Sequence, residues 1–176
     1  IDRVLYLDCD IIVDGDVSKM YFSEIKDISA IVTTDFMSIQ AGNPKRLGYD
    51  ESFGYFNAGM MLINISYWRE HDILQRSINY IKENSEILFL YDQDVLNYVL
   101  HDSKKFIGIE YNFFSLYITK MTFDSIDENM KRGVINCKPR IIHFIEPKPW
   151  SIFSYKFPLT RVWEKYCKVS LWSSPF

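Results

Sequence analysis

The sequence predicts an α/β fold with a mostly parallel central sheet. Short runs of β-forming apolar residues alternate with segments whose apolar positions repeat at helical spacing. Several of the apolar runs end on Asp, Asn or His, the place where α/β sheets deliver ligand-binding groups. At 176 residues the chain has the size of one domain with a substantial core.

Taken in order, residues 4–7 read as a fully buried strand, an apolar run that stops at Asp8 and Asp10. A turn at Asp14-Gly15-Asp16 precedes a short helical segment through Ile25, with Asp16 or Ser18 as its cap. Residues 29–34 form a second strand ending at Asp35. Residues 38–52 have loop composition. Met60-Met61-Leu62-Ile63 is a third buried strand, preceded by Asn57 and by Ala58-Gly59, which are small enough to admit another group to the backbone. A helix over 66–83 carries Leu74, Ile78 and Ile81 as its core stripe. A short buried helix follows Asp92-Gln93-Asp94, with Asp92 or Asp94 at its N-cap. Residues 105–109 form a strand, 111–132 are irregular and aromatic, and 140–145 form a strand carrying His143.

Two units are expected: a catalytic domain over 1–154 and a basic, aromatic tail over 155–176, amphipathic and ending loosely. The net charge is −3, with 20 basic and 23 acidic residues well mixed, which argues against nucleic acid as a partner. Aromatic residues make up 16%, enough for an aromatic core or for stacking on rings of a ligand. Cys9, Cys137 and Cys167 lack disulfide or zinc spacing and fit a reducing, cytoplasmic compartment. No apolar run approaches the ~18 residues of a membrane span. The tail is compatible with a peripheral contact at the inner face of a membrane, and equally with a packed helix.

Asp8 and Asp10 stand at i and i+2, so in extended backbone they face one side and can converge on a cation. The same spacing occurs in phosphatases, at helix N-termini and in surface turns. His143, in an apolar strand, is either a satisfied core histidine or the imidazole of a two-carboxylate site. Such a donor set suits Mn²⁺ and allows Mg²⁺. Lys148, between two prolines, is a point charge for a phosphate or a solvated lysine. Asp92, Gln93 and Asp94 either cap a helix or bind substrate hydroxyls. Asn57 reads sugar hydroxyls or closes a turn, and Asp35 binds a hydroxyl or caps a loop.

These blocks stand in one order: Leu5-Tyr6-Leu7-Asp8-Cys9-Asp10, Tyr55-Phe56-Asn57-Ala58-Gly59-Met60-Met61-Leu62-Ile63-Asn64, Asp92-Gln93-Asp94-Val95-Leu96-Asn97, and Ile142-His143-Phe144 with Lys148-Pro149-Trp150. In that order they resemble glycosyltransferase family 8, the bacterial lipopolysaccharide galactosyl- and glucosyltransferases and glycogenin. The resemblance implies a GT-A type nucleotide-sugar fold and a retaining hexosyl transfer from a UDP-hexose with Mn²⁺. The acceptor would be a glycan, glycolipid or glycoprotein. Asp8, Asp10 and His143 would be the metal ligands, and Lys148 the diphosphate contact. Asn57, Asp92 and Gln93 would bind the donor sugar and Asp35 the acceptor. Gln93 would lie near the anomeric carbon, with Asp94 as an alternative nucleophile. The family's nucleotide-binding region precedes the DxD motif, so the chain is expected to be the C-terminal portion of the catalytic domain.

Two other readings compete. A haloacid-dehalogenase-like phosphohydrolase also has a DxD after a buried strand, but it expects a Gly-Thr-like pair where this chain has Ile11-Ile12. A non-catalytic carbohydrate-binding module is the third.

Overall fold

The computed structural model describes residues 1–146, 148–151 and 159–170. Its strands are β1 (Arg3–Leu7), β2 (Ile11–Val13), β3 (Ala30–Thr34), β4 (Phe56–Asn64), β5 (Lys104–Ile107), β6 (Phe113–Phe114) and β7 (Ile141–His143). Between and after them run helices α1 (Ser18–Tyr21), α2 (Phe36–Gln40), α3 (Asn43–Leu47), α4 (Ile65–Glu70), α5 (Ile73–Asn84), α6 (Tyr91–Leu100), α7 (Lys120–Ser125), α8 (Glu128–Asn136) and α9 (Thr160–Val169).

The larger sheet has the order β1-β4-β3-β5 and the smaller β2-β7-β6. In the larger sheet β1, β3 and β5 share one direction and β4 runs against them. The α/β class therefore holds, but the sheet is mixed rather than mostly parallel, because both neighbours of β4 are antiparallel to it. The cause is the connection over 35–55. The Asp35 N–H donates to Tyr55 O at 2.9 Å, and Thr34 pairs with Phe56, so the chain re-enters the sheet at the end it left. Only a crossover to the opposite end gives a parallel neighbour.

β4 is one of the two inner strands of the larger sheet, buried along almost its whole length. On one side Phe56, Ala58 and Met61 pack with Tyr80, Val95 and Val99 of α5 and α6. On the other Met60 and Leu62 pack with Met20, Tyr111 and Ile141. The β3–β4 register shifts between Val32, opposite Met61, and Thr33, opposite Asn57. The intervening residues 58–60 bulge away from β3, a distortion that re-aims side chains.

Several local expectations are corrected. β1 is half buried: Val4 and Tyr6 are exposed at its outer face. Residues 38–52 hold the end of α2 and all of α3, with Pro44 in the first turn of α3 and Gly48 closing it at a φ of 85°. The helix expected over 66–83 is broken at Asp72, whose φ is 50°. The stripe of Leu74, Ile78 and Ile81 is exposed, Leu74 at 72%; α5 instead buries Ile73 and Tyr80, the latter stacked on Tyr98 of α6 at 3.7 Å. Residues 111–132 hold β6, α7 and the start of α8, whose N-cap Asp127 accepts from Asn129 and Met130 N–H.

In the tail, α9 is tied to the turn after β2: Lys165 Nζ and Tyr166 Oη both donate to Asp14 Oδ1. The tail residues Tyr155, Phe157, Leu171 and Trp172 lie outside the described residues, as does Pro147. Among the described residues no helix is long and apolar enough to cross a membrane, and the three cysteines are free thiols.

Candidate functional site

Asp8-Cys9-Asp10 is the junction between the two sheets. Asp8 follows β1, and its N–H donates to Gly59 O on the bulge of β4 at 2.9 Å. Asp10 precedes β2, and its carbonyl accepts from Phe144 N–H just beyond β7 at 2.9 Å. His143, the last residue of β7, pairs with Ile11. Backbone pairing from three strands thus brings together Asp8, Asp10 and His143. His143 Nε2 lies 3.2 Å from Asp10 Oδ1 and 3.8 Å from Asp8 Oδ2. One donor atom from each residue falls within 4.8 Å of the others, with Asp10 and His143 buried.

Burial alone would raise the Asp10 pKa, but its contacts with His143 and Lys148 outweigh it and pull it down to about 2. Lys148 Nζ donates to Asp10 Oδ2 and to Phe144 O. Tyr6 Oη donates to Asp8 Oδ1 at 2.9 Å, and that bond, with some burial, pushes the phenol up to about 12. Gly59 makes room for the group. A Cβ there would stand 2.6 Å from Asp8 Oδ2, 2.9 Å from Asn57 Oδ1 and against His143 Cε1. Two carboxylates and an imidazole converging on a space kept clear by a glycine fit a hard divalent cation with open coordination positions.

A chain of hydrogen bonds leads away from this cluster. His143 Nδ1 meets Asn112 Oδ1 at 3.0 Å, and Asn112 Nδ2 donates to Asn57 Oδ1 at 3.0 Å. Asn57 Nδ2 donates to Gln93 Oε1 at 2.9 Å. Gln93 Nε2 points toward Asp35 Oδ2 and Tyr55 Oη, each at 3.4 Å. Asp35 also caps α2, accepting from Ser38 N–H and Oγ–H, and its burial raises its pKa. Asp92 is exposed in the first turn of α6.

The site thus gathers Asp8, Asp10, His143, Lys148, Asn57, Gln93 and Asp35. Asp94 does not join it as a free carboxylate. Its side chain is fully buried and accepts from Arg46 at 2.8 and 3.0 Å, from Tyr55 Oη at 2.7 Å and from Leu90 N–H at 2.8 Å. With four donors on its two oxygens, it is not available to attack a sugar. Sequence reading missed Asn112, Arg46, Tyr6 and Tyr55. For Asn112 a signal existed: an amide between Tyr111 and Phe113 in an aromatic run must find buried partners.

Residues 1–152 match the model of glycosyl transferase family 8. The chain belongs to glycosyl transferase family 8.

This family 8 chain is 29% identical to General stress protein A of Bacillus subtilis, across 99% of the chain and 61% of that protein. It is 30% identical to the Lipopolysaccharide 1,3-galactosyltransferase of Salmonella typhimurium, across 98% of the chain and 51% of that enzyme. Among solved structures, the galactosyltransferase LgtC in complex with donor and acceptor sugar analogs matches with a TM-score of 0.78 and 26% identity. The match covers 93% of this chain and 60% of that one. The apo form of GlyE from Streptococcus pneumoniae matches at 0.75 with 28% identity, covering 98% and 41%. The fold is that of GT-A glycosyltransferases. The chain spans 61% and 51% of the two curated relatives named here.

Proposed function

We propose that the protein is a metal-dependent, retaining hexosyltransferase that moves glucose or galactose from a UDP-sugar to a glycan, glycolipid or glycoprotein acceptor. The observation that carries the reading is the convergence of Asp8, Asp10 and His143 on the space left by Gly59, one hydrogen-bond chain from Gln93.

In this reading Asp8, Asp10 and His143 hold Mn²⁺, with Mg²⁺ as a substitute. When bound, the cation supplies charge neutralisation for the UDP leaving group. Lys148, whose ammonium already sits on Asp10, adds a positive charge for the diphosphate. Asn57, Asp92 and Gln93 orient the donor sugar, and Asp35 receives the acceptor. Gln93 lies near the anomeric carbon but is neutral and a poor nucleophile. With Asp94 engaged by Arg46, the route is front-face attack. The acceptor oxygen bonds to the anomeric carbon as the bond to phosphate breaks, and the departing phosphate oxygen takes the acceptor's proton. Asp94 acts by holding the start of α6, which carries Gln93. Cytoplasmic placement, with α9 offering Arg161 and Lys168 to a membrane surface, belongs to the same proposal.

The test is UDP release by the intact protein from UDP-glucose or UDP-galactose. Release should require Mn²⁺, stop with EDTA and yield a product with retained anomeric configuration by NMR. Metal-independent release, or hydrolysis of generic phosphoesters, would sink the reading.

A further inference from the structure

We infer that Asn112 is a positioning residue for the metal centre: it fixes His143 in the tautomer whose Nε2 lone pair faces Asp8 and Asp10. The inference rests on the metal reading above.

Hydrogen-bond directions at this site are set by backbone, whose N–H groups can only donate. Gly59 N–H lies 3.0 Å from the Asn57 side chain, so the atom it meets is the oxygen. That oxygen also lies 3.0 Å from a terminal atom of Asn112, which must therefore be the NH₂ group. The other terminus of Asn112 is then the oxygen, 3.0 Å from His143 Nδ1. An amide oxygen only accepts, so Nδ1 carries a hydrogen. In the neutral ring Nε2 is left with the lone pair, and Nε2 is the atom facing Asp10 and Asp8.

A second backbone anchor agrees. Ala58 N–H lies 3.1 Å from the Gln93 side chain, which fixes the oxygen there and requires the Asn57 NH₂ to donate to it. The opposite tautomer would set a lone pair against the Asn112 oxygen and an N–H where a ligand lone pair is needed. Asn112 is 1% exposed, so bulk water does not replace it. Metal-bound histidines commonly donate their second N–H to such an acceptor, and removal of that acceptor typically costs 10- to 100-fold in metal affinity.

The experiment titrates Mn²⁺ into the intact protein and its variants, and reads affinity together with nitrogen coupling to Mn²⁺ by pulsed EPR. Circular dichroism checks that each variant is folded. His143→Ala should abolish the coupling and so assign it. Asn112→Leu fills the space but accepts nothing; it should weaken binding about 10- to 100-fold and reduce the coupling. Asn112→Asp keeps an acceptor toward Nδ1 but sets a second oxygen against Asn57 Oδ1, so it should recover part of the affinity that Asn112→Leu loses. Wild-type affinity and coupling in Asn112→Leu would overturn the inference. Equal losses in the Leu and Asp variants would also overturn it, leaving a packing role. If wild type shows no nitrogen-coupled Mn²⁺, the metal reading itself falls and the inference falls with it.

Discussion

Asn57 and Gln93 meet across the site through one shared oxygen: Gln93 Oε1 accepts from Asn57 Nδ2 at 2.9 Å and from Ala58 N–H at 3.1 Å. The first bond joins the residue of β4 just before its bulge to the first turn of α6, so the positions of the two side chains depend on each other.

Their coupling should appear in a double-mutant cycle. Asn57→Ala and Gln93→Ala, alone and together, are measured on UDP-sugar turnover. The interaction term should be about 0.5–1.5 kcal/mol, the net worth of one hydrogen bond. Losses additive within about 0.3 kcal/mol would mean that the two residues act independently.

Gly59→Ala tests the space at the cation site. The added Cβ would meet Asp8 Oδ2 at 2.6 Å and Asn57 Oδ1 at 2.9 Å. The clash should cost about 1–3 kcal/mol of stability and lower Mn²⁺ affinity, since the Cβ would also run into His143, with Asp8 one of the proposed cation ligands. Unchanged affinity by calorimetry would place the cation elsewhere.

The Arg46–Asp94 pair sets an acid limit on stability. Burial raises the Asp94 pKa, but the bonds from Arg46, Leu90 N–H and Tyr55 outweigh it, so the folded value lies below the ordinary 3.8. In acid the unfolded state then binds a proton that the folded state does not. The pair's stabilisation is therefore fully present above about pH 4 and is lost as the pH falls through the folded value. Arg46→Met should cost about 3–5 kcal/mol near neutrality, because it strands a buried carboxylate. The wild-type advantage in denaturant melts should then narrow in acid; an advantage constant into the acid range would refute this account.

The exposed stripe of α5 yields a contrast between neighbours. Leu74→Glu should change the stability of this chain by no more than about 0.5 kcal/mol. Ile73→Ala, one residue away and fully buried, should cost about 2–5 kcal/mol. A large loss at Leu74 would show that the stripe is covered.

These pairs show what the sequence could reveal. The strands β1, β3, β4, β5 and β7 and the acidic ends of β1 and β3 were readable because an apolar run, with or without a carboxylate after it, is a local pattern; β2 and β6, three and two residues long, were not. His143 stood out as an imidazole among Ile141, Ile142 and Phe144. The direction of β4 was not readable, because it depends on where the 35–55 connection re-enters the sheet. The α5 stripe misled because 74, 78 and 81 and the alternative set 73, 77 and 80 both keep helical spacing. Contact with Tyr98 on α6 decides between them. Arg46 and Asp94 are 48 positions apart, and Asn112 and Asn57 are 55 apart, beyond any local signal.

The two backbone anchors at Ala58 and Gly59 also bear on how this family can diversify. They give each side chain along the chain a fixed donor end and acceptor end, so an amide cannot be exchanged for an acid at 57, 93 or 112 without opposing two like atoms somewhere along the line. Substitutions at 57, 93, 112 and 143 should therefore be inherited as matched sets, and statistical covariation among these four columns is the evolutionary trace to look for.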